Sequence, residues 1–146
     1  MPPEDRLLRV VVDTNVLFSA LAFPAQRPPA KVFKLMIDGK FLAFSSPFIV
    51  AELEKALRNK AGWGDGQLRV LRRRLTLVMR LIVPTSHVAV IKRIEADNRI
   101  LECAVDARAD VLITGNLKDI RPLGAFQGID IMPPREVLTR YFPERE

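Results

Sequence analysis

The sequence predicts an α/β fold, a mainly parallel sheet of about five strands covered by helices on both faces. Three observations predict it. Short apolar runs alternate with helical patterns along the whole chain. The first run, Leu7-Leu8-Arg9-Val10-Val11-Val12, is apolar apart from Arg9, as suits a strand buried on both faces. That run closes on a carboxylate, Asp13, and in open α/β sheets chemistry gathers at the carboxyl ends of strands.

The elements follow in order. Strand one is Leu7 to Asp13, and Thr14-Asn15 lead into a helix-like stretch from Val16 to Leu21. Phe23 to Pro29 is a loop, because its prolines cannot sit inside a helix. Ala30 to Asp38 reads as a helix stopped by Gly39, and Phe41 to Ser45 as the second strand. Ser46-Pro47 supplies an N-cap and a proline at the first helical position, opening a helix through about Arg58. After a glycine-rich break, Gln67 to Met79 carries Leu68, Leu71 and Leu75 at helical spacing. Leu81-Ile82-Val83 is a third strand, stopped by Pro84. Asp97 to Arg108 is helical, Val111 to Thr114 and Ile129 to Met132 are strands, and Pro133-Pro134 opens a last helix ending near Phe142. There is no internal repeat and no linker, so residues 1–146 form one domain, with 1–6 and 143–146 expected as flexible tails.

Bulk composition narrows the function. At 146 residues and 49% hydrophobic, the chain is long enough for one core and too short for two ordinary domains. No apolar run approaches the ~18 residues that span a bilayer. The first residues show no basic-then-apolar secretion signal, so the expected location is the cytoplasm. One cysteine, Cys103, and one histidine, His87, exclude an internal disulfide and a Cys/His zinc site. His87 lies in a loop-like stretch where a lone histidine is ordinarily solvated, which argues against Ser-His-Asp or Cys-His catalysis. Net charge is +6, and eight basic residues against one acidic fall between Lys55 and Arg80. The basic character belongs to that segment and favours an acidic partner.

Three more polar residues, Glu52, Asp97 and Asn116, are placed by the pattern to reach the rim that Asp13 defines. A carboxylate at the mouth of an apolar strand needs a partner, because removing it from water is costly; its bland alternative is capping the helix that follows. Asp97 also begins a helix and has the same alternative, but Asp97, Leu101 and Ala104 share one face directed at the core. Glu52 and Glu54 flank the apolar face of Ile49, Val50, Leu53 and Leu57, one on each side, and periodicity does not choose between them. Asn116 follows Leu112-Ile113-Thr114-Gly115 at another strand exit, where alone it would be an ordinary turn residue. Crowded carboxylates repel, and a divalent cation such as Mg²⁺ is the usual remedy.

The pieces Val11-Val12-Asp13-Thr14-Asn15-Val16-Leu17, Pro28-Pro29-Ala30, Ser46-Pro47 with Glu52-Leu53, Asp97 to Ala104, and Leu112-Ile113-Thr114-Gly115 occur in an order and spacing that resemble the PIN-domain ribonucleases. The likeness runs from about residue 9 to residue 139. It is strongest to the prokaryotic toxins of toxin–antitoxin pairs, relatives of the VapC-type toxins. The resemblance implies a three-layer α/β/α sandwich and an acidic pocket for Mg²⁺ or Mn²⁺. It implies Asp13, Glu52 and Asp97 as catalytic residues and metal ligands, and it selects Glu52 over Glu54. Thr14, Asn15 and Thr114 match the polar residues that orient the family's pocket. It also implies an RNA substrate, a cognate antitoxin and a homodimer.

Asn116 departs from the pattern, since the family usually has an aspartate there. Asparagine keeps an oxygen for a metal but removes a charge, and Asp119, three residues on, would compensate in part if it faces the same rim, which the sequence alone does not fix. The expected chemistry is metal-dependent cleavage of RNA, with Arg69, Arg72, Arg73 and Arg74 contacting phosphates. The alternative for those arginines is a solvated helix face. The alternative for the whole chain is a catalytically weak or inactive module that binds RNA or a protein. A phosphoryl-accepting domain built on Asp13 fits poorly, because the second aspartate it needs is Asn15, and no glycine-rich nucleotide loop is present.

Overall fold

The computed structural model describes residues 6–23, 25, 27–92, 94–116 and 118–144. Residues 1–5 and 145–146 of the expected tails, and Pro24 and Gln26 of the proline loop, lie outside the described residues. In chain order the elements are β1 (Arg9–Val12), α1 (Thr14–Ala22), α2 (Pro28–Ile37), β2 (Leu42–Ser45), α3 (Pro47–Ala61), α4 (Asp65–Val78) and β3 (Met79–Leu81). They continue with α5 (Glu95–Asp106), β4 (Val111–Ile113), a 3-10 turn (Arg121–Leu123), β5 (Ala125–Phe126), β6 (Ile129–Met132) and α6 (Pro134–Tyr141). One sheet runs in the order β3-β2-β1-β4-β6-β5, parallel except for the β5–β6 pair.

Val10, Val11 and Val12 point alternately to the two faces, yet all three are buried. Both faces of the central strand are therefore covered, as in a three-layer sandwich. The chain leaves β1 for β2 on one side and returns to β4 on the other. This reversal opens a crevice at the carboxyl ends of β1 and β4, where Asp13 and Thr114 emerge. Local chemistry sets the helix that borders it. Ser46 caps α3 by accepting from the Ile49 N–H at 3.2 Å, Pro47 occupies its first turn, and Gly62 ends it at φ +72°.

Three elements depart from expectation. The loop expected over 23–29 ends early, because Pro28 and Pro29 form the first turn of α2, where a proline has no helical hydrogen bond to lose. The third strand is Met79–Leu81 in place of 81–83, because buried Met79 anchors it opposite Ala43 while Val83 stays exposed. At a sheet edge with one neighbour, an apolar run does not fix its own register. A sixth strand also appears. Gln127 and Gly128, both at positive φ (+49° and +81°), turn Ala125–Phe126 back onto β6.

After the Ile82 N–H donates to the Ser45 carbonyl of β2 at 2.8 Å, residues 83–92 belong to neither helix nor strand and form a strap. Side chains of α5 hold it. Asp106 accepts from the N–H groups of Thr85 and Ser86, Glu102 from Val88 at 2.9 Å, and Asn98 from Ile91 at 2.9 Å. Residues four apart on the helix meet residues about three apart on the strap, so each helical turn is tied once.

Candidate active site

Asp13 is the N-cap of α1 by position, but its side chain makes no capping bond. Its Oδ2 instead accepts from the Thr114 hydroxyl at 2.7 Å, across the crevice between β1 and β4. Thr114 Oγ1 accepts in turn from the Asn116 N–H at 3.0 Å, and Asn15 Oδ1 accepts from the Gly115 N–H at 3.2 Å. The β1–α1 and β4 exits are thus tied together on the rim. Asp13 is only 5% exposed. Burial pushes its carboxyl up to about 6, and the nearby negative Asp97 adds to this against the lowering by Thr114 and the Thr14 N–H.

A cavity of about 260 Å³ opens here, and Asp13, Thr14, Asn15, Glu52, Asp97 and Asn116 line it. Five of the predicted residues therefore share one pocket with Asp13, from β1–α1, α3, α5 and the loop after β4. Asp97 enters from the first turn of α5, two residues inside the helix and not at its cap. The choice that periodicity left open is resolved by neighbours: Glu52 lines the pocket, whereas Glu54 accepts from Arg72 on α4 at 2.9 and 2.5 Å.

Asn116 sits on the rim with both ends of its amide engaged. Its oxygen accepts from the Lys118 and Asp119 N–H groups at 3.2 and 3.0 Å, and its Nδ2 donates to Asp97 Oδ2 at 3.1 Å. Two backbone donors fix the oxygen toward the turn, so the nitrogen must face Asp97. For Asn116 to ligate a cation, its oxygen would have to leave that turn. Asp119 is not among the residues lining the pocket. Arg69, Arg72, Arg73 and Arg74 are exposed on α4, also outside the pocket lining.

Among the described residues no three carboxylate, imidazole or thiolate groups are placed to cage a metal. The donors present nonetheless fit a hard cation. Asp13 and Asp97 lie close enough to perturb each other, and Mg²⁺ is commonly held by one or two carboxylates with water completing its shell. Thr14 Oγ1, buried on the pocket wall without a protein partner, adds a group that a hydrated ion or phosphate would satisfy.

Sequence reasoning missed four contributors. Phe18, Phe48 and Lys60 also line the pocket, and buried Asn98, next to Asp97, locks the first turns of α5 to the strap. For Lys60 a signal existed: Glu52, Ala56 and Lys60 recur every four residues on α3 and form one stripe.

Residues 9–118 match the family model described as PIN domain, and the chain belongs to the PIN-domain family. PIN domains are generally nucleases. Among relatives, the chain is 33% identical over 118 residues to the uncharacterized protein MJ1680 of Methanocaldococcus jannaschii, covering 77% of this chain and 73% of that one. Among solved structures, it is similar in fold to the PIN domain endonuclease Utp24. The TM-score is 0.52 at 20% identity, over 84% of this chain and 82% of the other. Among the described residues no helix is long and apolar enough to cross a membrane.

Proposed function

We propose that this protein is a Mg²⁺- or Mn²⁺-dependent endoribonuclease, the toxin of a toxin–antitoxin pair acting in the cytoplasm. The observation that carries the chemistry is the meeting of Asp13, Glu52 and Asp97, from three separate elements, in one pocket at the switch point of the sheet. The toxin role, the antitoxin partner and the homodimer rest on the sequence resemblance.

Asp13 and Asp97 would hold the cation, with Glu52 facing them from α3. When bound, the cation lowers the pKa of water and offsets charge on the phosphate. Thr114 holds the Asp13 carboxylate in one orientation through its 2.7 Å bond, and the Asn116 amide does the same for Asp97. Glu52 accepts the proton of the attacking water. Attack in line at phosphorus breaks the bond to the 3′ oxygen, leaving 5′-phosphate and 3′-hydroxyl ends.

The test is incubation of the purified protein with single-stranded RNA and Mn²⁺ or Mg²⁺, with the ends of the products mapped. Cleavage that Asp13→Asn abolishes and chelation stops is the expected result. An inactive wild type that still binds RNA would favour the second reading, a binding module. The observation on that side is Asn116, which presents a donor and not a charge to Asp97. Pull-down with the product of the neighbouring reading frame, and light scattering, test the antitoxin and the homodimer.

A further inference from the structure

The pocket has an apolar wall that cleavage of a phosphodiester does not by itself require. Phe18 on α1 and Phe48 on α3 both line it beside the carboxylates. Each is half-buried, packed on the core at its base and open to the cavity. The aromatic surface continues outward: Phe18 meets Phe23 edge-on at 6.2 Å, Phe23 is 52% exposed, and the Arg27 guanidinium lies 5.8 Å from its ring. Lys60 stands on the same stripe of α3 as Glu52 and lines the same pocket. No carboxylate among the described residues pairs with it, although three share the cavity. A cation in the last turn of a helix complements the helix dipole, but this does not account for its place on the pocket wall.

An apolar aromatic wall, a lone ammonium and an acidic floor are matched by a nucleotide. Bases stack on aromatic faces whatever their sequence, phosphates pair with ammonium groups, and the carboxylates take the cation that a phosphodiester needs. We propose that Phe18 and Phe48 form a nucleobase subsite, occupied by an unpaired base next to the cleaved bond of single-stranded RNA, with Lys60 on a flanking phosphate. The inference rests on the ribonuclease reading above and deepens it. A base in a duplex is already stacked on its neighbours and cannot enter, so the subsite selects unpaired RNA through shape, with little choice among the four bases.

The test couples protein and substrate changes. With the cleavage position mapped on a short RNA, kcat/KM is measured on that RNA and on a copy carrying one abasic nucleotide beside the cleaved bond. Phe48→Leu keeps apolar volume and removes the π face; Phe18→Leu does the same from another helix, and thermal melts verify that both fold. On the intact RNA each change should lower kcat/KM by roughly 5- to 150-fold, the range for loss of one base–aromatic stack. On the abasic RNA the same changes should cost little. Lys60→Gln should reduce the salt slope of binding by about 0.7. Equal losses on both RNAs would overturn the subsite while leaving the nuclease reading intact. A wild type that neither binds nor cuts any RNA would overturn both.

Discussion

The Asn116 amide donates to Asp97 at 3.1 Å, in a pocket where negative charge would otherwise accumulate. Without metal the bond is favourable, since a neutral donor offsets the Asp97 carboxylate. With a metal it would compete, because the Asp97 oxygen that Asn116 engages would no longer be fully available to the cation. On the metal-dependent reading, this one residue would set the balance between metal-free stability and metal affinity.

Asn116→Asp should shift that balance. It replaces a donor by a like charge about one hydrogen-bond length from Asp97, so the metal-free protein should lose roughly 1–2 kcal/mol. Half-maximal activity should need less Mg²⁺, and cleavage of single-stranded RNA should rise. Chemical denaturation in chelator and metal titration of activity read the two effects. If stability falls and metal demand does not, Asn116 is a structural cap and no part of the metal site.

The strap offers a second test. Asn98 accepts from the Ile91 N–H at 2.9 Å and donates to the Ile91 carbonyl at 2.7 Å, all of it buried. Asn98→Ala leaves both backbone groups without partners, which costs roughly 2–4 kcal/mol, or about 5–15 °C in Tm for a chain of this size. Activity should fall further than stability alone explains, because Asp97 precedes Asn98 on the same helical turn. A melt unchanged within about 2 °C, less than a 1 kcal/mol loss would produce, would mean that water replaces the amide.

Much of this was legible in the chain because two signals are local. A valine run ending in aspartate places Asp13 at a strand tip, and Ser46-Pro47 places the start of α3. Other features depend on what lies opposite. Glu52 and Glu54 are equivalent on a wheel; in the structure they are separated by what lies opposite, the pocket for Glu52 and Arg72 of α4 for Glu54. Asn98, Glu102 and Asp106 recur every four residues, the pattern of a solvated helix face; burial by an aperiodic strap left no mark in the sequence. The hairpin was hidden because Gln127-Gly128 lacks the Asn or Asp that usually announces such a turn, and β5 is two residues long.

The arginines of α4 should differ from one another in RNA binding. Arg72 already bonds Glu54, so its charge is partly neutralised, whereas Arg73 and Arg74 have no ion pair among the described residues. Neutralising Arg72, Arg73 and Arg74 together should flatten the salt dependence by about 0.7 for each phosphate that the protein no longer neutralises. Arg72→Gln alone should contribute less than Arg73→Gln. An unchanged slope in the triple variant would make this helix face merely solvated.

The pH dependence of stability follows from Asp13. Its carboxyl is pushed up to about 6, from 3.8 in an unfolded chain, chiefly by burial. The folded protein therefore holds this proton more tightly than the unfolded chain. The stabilisation is fully present below 3.8 and is lost as pH rises toward 6, a change of about 3 kcal/mol. Above that pH the metal-free protein carries a buried anion, which a cation that binds only the folded state offsets by mass action. In chelator, wild-type Tm should fall relative to Asp13→Asn between pH 4 and 7, near the two pKa values that bound the effect. At ~10 mM Mg²⁺, well above the affinity expected of a site with two carboxylates, much of that loss should be recovered at pH 7 and little of it at pH 5. Asp13→Asn should show neither the pH slope nor the metal shift. A metal-induced shift equal at pH 5 and pH 7 would place the bound ion away from Asp13.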